Sequence, residues 1–213
     1  EDHIVLYDGV YSVSYHPVDQ ENTDYYQTIS SGEFSYTVED NEATLTFYDG
    51  MSDNITIPGS VDGIPVVAIG EGVFSGCEAI TDVQISEGVK DIGNDAFAGC
   101  TNIVNLTFPD SLTHIGDGAF SGCRYIEHID LPNSLLHIGA GAFELCAKLS
   151  GIDFPEGLLS IGKGAFLGCC AIDEAVIPAS VSSIGGGAFV GTSLSNADIS
   201  ISPDNDKIQL LNN

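Results

Sequence analysis

The sequence predicts a β-rich solenoid, a single elongated domain wound from coils of 23 residues, and three observations carry that expectation. The pair Ile-Gly recurs at Ile69-Gly70, Ile92-Gly93, Ile115-Gly116, Ile138-Gly139, Ile161-Gly162 and Ile184-Gly185, always 23 residues apart. A phenylalanine stands five residues beyond each isoleucine, at Phe74, Phe97, Phe120, Phe143, Phe166 and Phe189. Three residues later comes a cysteine, at Cys77, Cys100, Cys123, Cys146 and Cys169, with Thr192 in its place in the last unit. No insertion interrupts the run. One copy of such a unit cannot bury its own apolar face, so copies stack and bury a continuous core.

Residues 1–33 form an amino-terminal β-strand extension of different character. Residues 1–68 hold thirteen acidic side chains, no Lys or Arg, and seven of the eight tyrosines. Ile4–Tyr7 and Val10–Tyr15 flank Asp8-Gly9, a two-residue hairpin signal. Residues 34–68 are an entry or capping unit, in which a looser connection, Glu39 to Glu42, separates Phe34–Val38 from Ala43–Tyr48. Antiparallel strands here are expected to cover the first coil, because an exposed apolar end aggregates.

Residues 69–191 are the repeats. Each carries an apolar triplet spaced one, four, six: Ile80-Val83-Ile85, Ile103-Leu106-Phe108, Ile126-Ile129-Leu131, Leu149-Ile152-Phe154 and Ile172-Ala175-Ile177. The last two members alternate as a strand requires. Pro109, Pro132, Pro155 and Pro178 end that strand. An inward Val or Leu follows (Val89, Leu112, Leu135, Leu158, Val181), then the Ile-Gly pair, whose glycine is expected to supply a turn conformation closed to larger residues. The Ala-Phe-x-Gly-Cys stretch, as in Ala96 to Cys100, has room for one helical or 3₁₀ turn. Residues 192–213 are a carboxy-terminal partial repeat or cap, partly closing the far end with Ile199, Ile201, Ile208, Leu210 and Leu211.

Leu131-Pro132-Asn133-Ser134-Leu135 through Gly141-Ala142-Phe143 resembles the BspA-type bacterial leucine-rich repeat, whose units read L-x-x-I-x-L-P-x-S-L-x-x-I-G-x-G-A-F-x-G-C. Ala43 to Tyr48, Ile55-Thr56-Ile57-Pro58 and Asp62 to Gly70 are similar to the entry unit that precedes such arrays, and Ile201 to Asn205 resembles a segment leading into a further block. The resemblance covers roughly residues 34–205 and implies a right-handed leucine-rich solenoid on a secreted or surface-attached bacterial protein. It implies roles in adhesion and partner binding and no catalytic residues. Fold alone does not give function.

Thirty-one Asp and Glu against five Lys and Arg give a formal charge of -26, which sets nucleic acid and anionic membrane surfaces aside as partners, since both are polyanions. No apolar run reaches the length of a membrane span. With Met51 the sole methionine and Glu1 first, the expectation is a mature or trimmed chain without its export signal, located outside the cell or at its surface, and monomeric.

Apparent chemical motifs dissolve into the repeat. Gly157 to Gly164 nearly spells a phosphate-binding loop, but Gly164 stands where the metal-binding Ser or Thr belongs, and one coil has no room for strand, loop and long helix. The in-register cysteines are expected to be a buried thiol column rather than bridges. Equivalent positions lie about 4.8 Å apart with parallel side chains, whereas bridged β-carbons approach to about 3.8 Å. Cys170, out of register, is the thiol expected to be exposed. Asp91, His114 and His137 fall in one surface column, read as a solvated strand face because two nitrogen donors alone converge. His128, Asp130 and Asp153 could exchange protons, but no nucleophile accompanies them. No cofactor or metal is called for.

The sequence points instead to a non-enzymatic interaction module. If the strand alternates, its outward residues are Asp82 and Gln84, Asn105 and Thr107, His128 and Asp130, Gly151 and Asp153, Glu174 and Val176, a polar and mostly acidic ribbon that could meet a protein or glycan partner. Tyr11, Tyr15, Tyr25 and Tyr26 make a second candidate patch. The alternative is a structural spacer within a larger surface protein.

Overall fold

Isoleucine followed by glycine marks the side on which successive coils lie closest. The computed structural model describes residues 13–17, 25–194 and 199–201. Four antiparallel strands come first: β1 (Val13–Pro17), β2 (Tyr25–Ser31), β3 (Phe34–Glu39) and β4 (Glu42–Tyr48). β5 (Asn54–Ile57), β6 (Ser60–Val61) and β7 (Ile64–Ile69) lead into the coils. The coils contribute β8 (Asp82–Ile85), β9 (Asp91–Ile92), β10 (Asn105–Thr107), β11 (His114–Ile115), β12 (His137–Ile138), β13 (Ser160–Ile161), β14 (Ala175–Ile177) and β15 (Ser183–Ile184), and β16 (Ile199–Ile201) follows.

One sheet runs the length of the rod in the order β1-β2-β3-β4-β7-β9-β11-β12-β13-β15. Its coil strands are parallel and in register, with Ile115 beside Ile92 and Ile138 and Ile161 beside Ile184. The isoleucines point inward, so strands of only two residues suffice: β9, β11, β12 and β13 each contribute one buried isoleucine and the next coil supplies its neighbour, with Ile184 of the last coil partly buried.

The glycine of the pair does not serve the turn expected of it. None of Gly70, Gly93, Gly116, Gly139, Gly162 and Gly185 has a positive φ. A β-carbon on Gly93, Gly116, Gly139, Gly162 or Gly185 would instead lie 2.3–2.7 Å from the carbonyl carbon of the glycine one coil earlier. Backbone meets backbone there, and only hydrogen fits. The left-handed conformations sit elsewhere, as at Gly99 (φ 74) and Gly122 (φ 77) before the cysteines, a position that Leu145 takes at φ 60.

The Ala-Phe-x-Gly-Cys stretch forms turns, and no helix or 3₁₀ turn is present among the described residues. Its amides alternate between two acceptors. Asp95, Phe97 and Gly99 donate to Asp117, Ala119 and Ser121 of the next coil at 2.7–2.8 Å, whereas Ala96, Ala98 and Cys100 donate three residues back within their own coil. Every second amide is thus committed to a neighbouring coil, and a helical ladder cannot form.

The six phenylalanines stand in file as the period requires. Successive rings from Phe74 to Phe189 are 4.7–5.5 Å apart and inclined by only 4–7°. Phe74 through Phe166 are fully buried, and Phe189 at the last coil is half-buried. The antiparallel strands close the first end, as expected. β4 pairs parallel with β7, and Tyr48 and Phe34 set their rings against Phe74 at 5.0 and 6.4 Å. The β3–β4 connection is tighter than its sequence suggests. Glu39 pairs with Glu42, and the two residues between them, Asp40 and Asn41, both have positive φ, as a two-residue hairpin turn demands. The hairpin expected around Asp8-Gly9 and the closing residues Ile208 to Leu211 lie outside the described residues.

The thiols are free, as the spacing argued. They also do more than fill space, because Cys100, Cys123, Cys146 and Cys169 each donate to the carbonyl of the phenylalanine one coil earlier, at 2.9–3.2 Å. Burial pushes the Cys100 thiol up to about 12 and raises Cys123 further; a hydrogen bond with Cys169, then burial, raises Cys146. A raised folded value favours the protonated folded form, so this stability is complete below about pH 8.5, where unfolded thiols ionise, and fades as pH rises above it. Iodoacetamide at about pH 8 is therefore expected to alkylate the exposed Cys170 in the native chain and to spare Cys100, Cys123 and Cys146 until the chain unfolds. Peptide mass spectrometry reads the result; labelling of Cys123 as fast as Cys170 would contradict it.

Candidate functional site

The ribbon of outward residues is built on a second, shorter sheet in the order β10-β8-β5. Asn54, Asp82 and Asn105 fall in one row, and Thr56, Gln84 and Thr107 in the next. The inward partners Ile55, Ile57, Val83 and Ile85 are buried, which fixes the register and turns the polar residues out. Asn105 Nδ2 donates to Asp82 Oδ1, and Thr81 Oγ1 donates to Asp82 Oδ2 at 2.7 Å. These two bonds, Thr81 first, hold the Asp82 carboxyl below the usual carboxylate range.

Two shallow depressions lie along this face and share Asn105 and Thr107. One, of about 410 Å³, is lined by Asn54, Ile55, Thr56, Asp82, Val83, Gln84, Asn105 and Thr107. The other, of about 230 Å³, adds Val104, Leu106, Glu127 and His128. The structure therefore brings Asp82, Gln84, Asn105, Thr107 and His128 together. Asp130, Asp153 and Glu174 are exposed, but they line neither depression.

The ribbon is also less regular than the triplet implies. Beyond β10 the strand pairing on this side shrinks to one bridge, His128 with Gly151, and resumes at β14 with β16. The second depression opens at that interruption, between β10 and the coil of His128. His128 Nδ1 is 3.5 Å from Ser150 Oγ. Tyr125 exposes 46% of its surface and is linked to the depression through Lys148, whose ammonium lies 4.7 Å from its ring and 3.2 Å from Oε1 of the lining Glu127. Tyr125 supplies a surface aromatic, and Asn54, Thr56, Val104 and Glu127 extend the site. Sequence reasoning missed Asn54 and Thr56 because they precede the 23-residue run, and Val104, Glu127 and Tyr125 because they stand before the alternating strand positions of their coils. The side chains of Tyr11, Tyr15, Tyr25 and Tyr26 lie outside the described residues.

On the long sheet Asp91, His114 and His137 stand in one row, as their spacing predicts. Among the described residues no group of three or more His, Cys, Asp or Glu is arranged to hold a metal.

Residues 67–195 match the family described as the BspA type Leucine rich repeat region, in six copies. The chain belongs to this family. Solved structures agree with that membership. A leucine-rich repeat protein of T. pallidum shares 26% identity at a TM-score of 0.69, covering 78% of this chain and 90% of its own. A leucine rich cell surface protein of Faecalibacterium prausnitzii shares 29% identity at a TM-score of 0.73, covering 87% of this chain; the alignment spans 57% of that longer protein. The pneumococcal vaccine antigen PcpA, at 23% identity and a TM-score of 0.64, has the same fold. No curated protein matches the chain significantly. This BspA-type repeat region contains, among its described residues, no helix long and apolar enough to cross a membrane.

Proposed function

We propose that this BspA-type region is a non-enzymatic interaction module of a secreted or cell-surface bacterial protein, which adheres to a host or matrix protein or glycan through the ribbon of the short sheet. The observation that carries this is the pair of contiguous depressions sharing Asn105 and Thr107, where polar side chains from successive coils stand in register over an apolar floor. The cell-surface protein of Faecalibacterium prausnitzii supports the location. Asp82, Gln84, Asn105, Thr107 and His128 make the centre of the surface, and Asp130, Asp153 and Glu174 extend its acidic charge. That charge suits a neutral or basic partner and repels polyanions. A spacer role is the second reading, favoured by the unbroken file of coils.

The test is a binding screen of the chain against immobilised matrix proteins and neutral glycans, repeated with Asp82→Lys, Asp130→Lys, Asp153→Lys and Glu174→Lys combined. Affinity for the partner found is expected to fall at least about tenfold, since reversing charges turns attraction into repulsion. Unchanged affinity, or an equal loss on reversing Asp91 and Asp117 elsewhere on the rod, would move the site off the ribbon. No partner in the screen would leave the spacer.

A further inference from the structure

β11 and β12 pair parallel and in register, which sets His114 against His137 with their side chains on one face. The two rings stack at 4.9 Å with an inclination of 26°. The His114 side chain is 48% exposed and His137 is half-buried, so both reach solvent. Each ring has its Nδ1 engaged. His114 Nδ1 lies 3.2 Å from Asp91 Oδ1 and 2.8 Å from Thr113 Oγ1, and His137 Nδ1 lies 2.8 Å from Ser160 Oγ. An ionised carboxylate only accepts, so a neutral His114 that turns its Nδ1–H toward Asp91 carries its lone pair on Nε2. The Ser160 hydroxyl can accept from His137 in the same way, which the metal-binding tautomer requires. A carboxylate or hydroxyl behind each ring is the arrangement that orients metal-binding imidazoles.

From this geometry we propose that His114 and His137 are the two protein ligands, through Nε2, of a site for one imidazole-preferring divalent ion of the zinc, nickel or copper kind. Metal–nitrogen bonds of about 2.0–2.1 Å require the two Nε2 atoms within about 4 Å of each other. The rings, stacked at 4.9 Å, must turn about their Cα–Cβ and Cβ–Cγ bonds to bring both Nε2 atoms to one ion, and the exposure of the two side chains leaves room for that turn. Imidazole selects these ions over calcium and magnesium, which take oxygen ligands. Asp91 and Ser160 act through the rings and are positioning residues. Water completes the coordination, so the site is weaker than one built from four side chains. The formal charge of -26 raises the local concentration of cations and favours occupancy.

Calorimetric titration of the whole chain with zinc chloride at about pH 7.5 tests the site. One zinc per chain is expected. His114→Gln and His137→Gln should each weaken binding by more than about tenfold, and Asp91→Asn by about tenfold with the zinc-free melting temperature unchanged. His128→Gln and Cys170→Ser should leave the affinity alone, and calcium should not compete. Absence of saturable binding would overturn the proposal. So would unchanged, wild-type affinity in the histidine variants, which would mean diffuse binding to carboxylates, or loss of binding in Cys170→Ser, which would put the ion on the exposed thiol.

Discussion

Phe120→Ala is expected to destabilise the chain by about 3–5 kcal/mol. The ring is fully buried, stacked between Phe97 at 5.1 Å and Phe143 at 5.4 Å, with the edge of Phe108 against it at 5.7 Å. Two coils share the loss, since truncation removes contacts on both faces at once. Neighbouring rings cannot close the gap without abandoning the in-register strands on the long sheet. That rigidity places the cost in the range of well-packed cores, where a cavity persists after mutation. Denaturant unfolding monitored by circular dichroism gives the measurement, with Ser75→Ala on the surface as reference. A midpoint shift no larger than that of the reference would mean that the file of rings contributes nothing to holding the coils together.

Gly139→Ala should cost about 3 kcal/mol, the upper end of the range for overpacking, because the new methyl meets main chain that cannot step aside even if the Asp117 side chain does. Its β-carbon would lie 2.5 Å from the carbonyl carbon of Gly116 and 2.6 Å from the amide nitrogen of Asp117. Moving the coils apart to admit it would strain two bonds at the same junction: Gly139 N donating to the Ile115 carbonyl at 2.8 Å, and Ala140 N donating to Asp117 Oδ1 at 2.6 Å. Gly122→Ala is the informative comparison. There φ is 77° but the nearest atoms to a β-carbon are 3.8 Å away, so the cost is conformational and amounts to about 1–2 kcal/mol. Equal losses at the two positions, measured by the same unfolding experiment, would show that close approach is not what selects glycine beside isoleucine.

That comparison also marks where sequence reasoning reached and where it stopped. The files of Ile, Phe and Cys were legible because a strict period leaves stacking as the arrangement that buries them, and the structure has them in line. A glycine at fixed spacing, by contrast, does not say whether it serves φ or proximity. The distinction lies in the distance to the coil before, which no single unit contains. The Ala-Phe-x-Gly-Cys stretch posed the same difficulty, since its alternate amides find acceptors 22 residues on, as Phe97 finds Ala119.

The candidate site was legible in part for a related reason. Asp82, Gln84, Asn105 and Thr107 follow from strand alternation and lie where alternation puts them. Asn54 and Thr56 belong to the same rows, but the entry unit is offset by 28 residues rather than 23, as the Thr81 to Asp53 bond shows, so the repeat did not point to them. The interruption beyond β10 has no sequence signal that we can identify. Ile126-Ile129-Leu131 carries the same triplet as its neighbours, yet pairs through His128 alone.

The alternating amides of the turns have a mechanical consequence. Their coil-to-coil bonds, like those between the parallel strands of the sheets, lie along the rod, so a tug between its ends passes through every junction in series. Such a tether gives way at its weakest joint rather than by shearing many rungs together, and the remaining windings stay whole because each leans only on its neighbours.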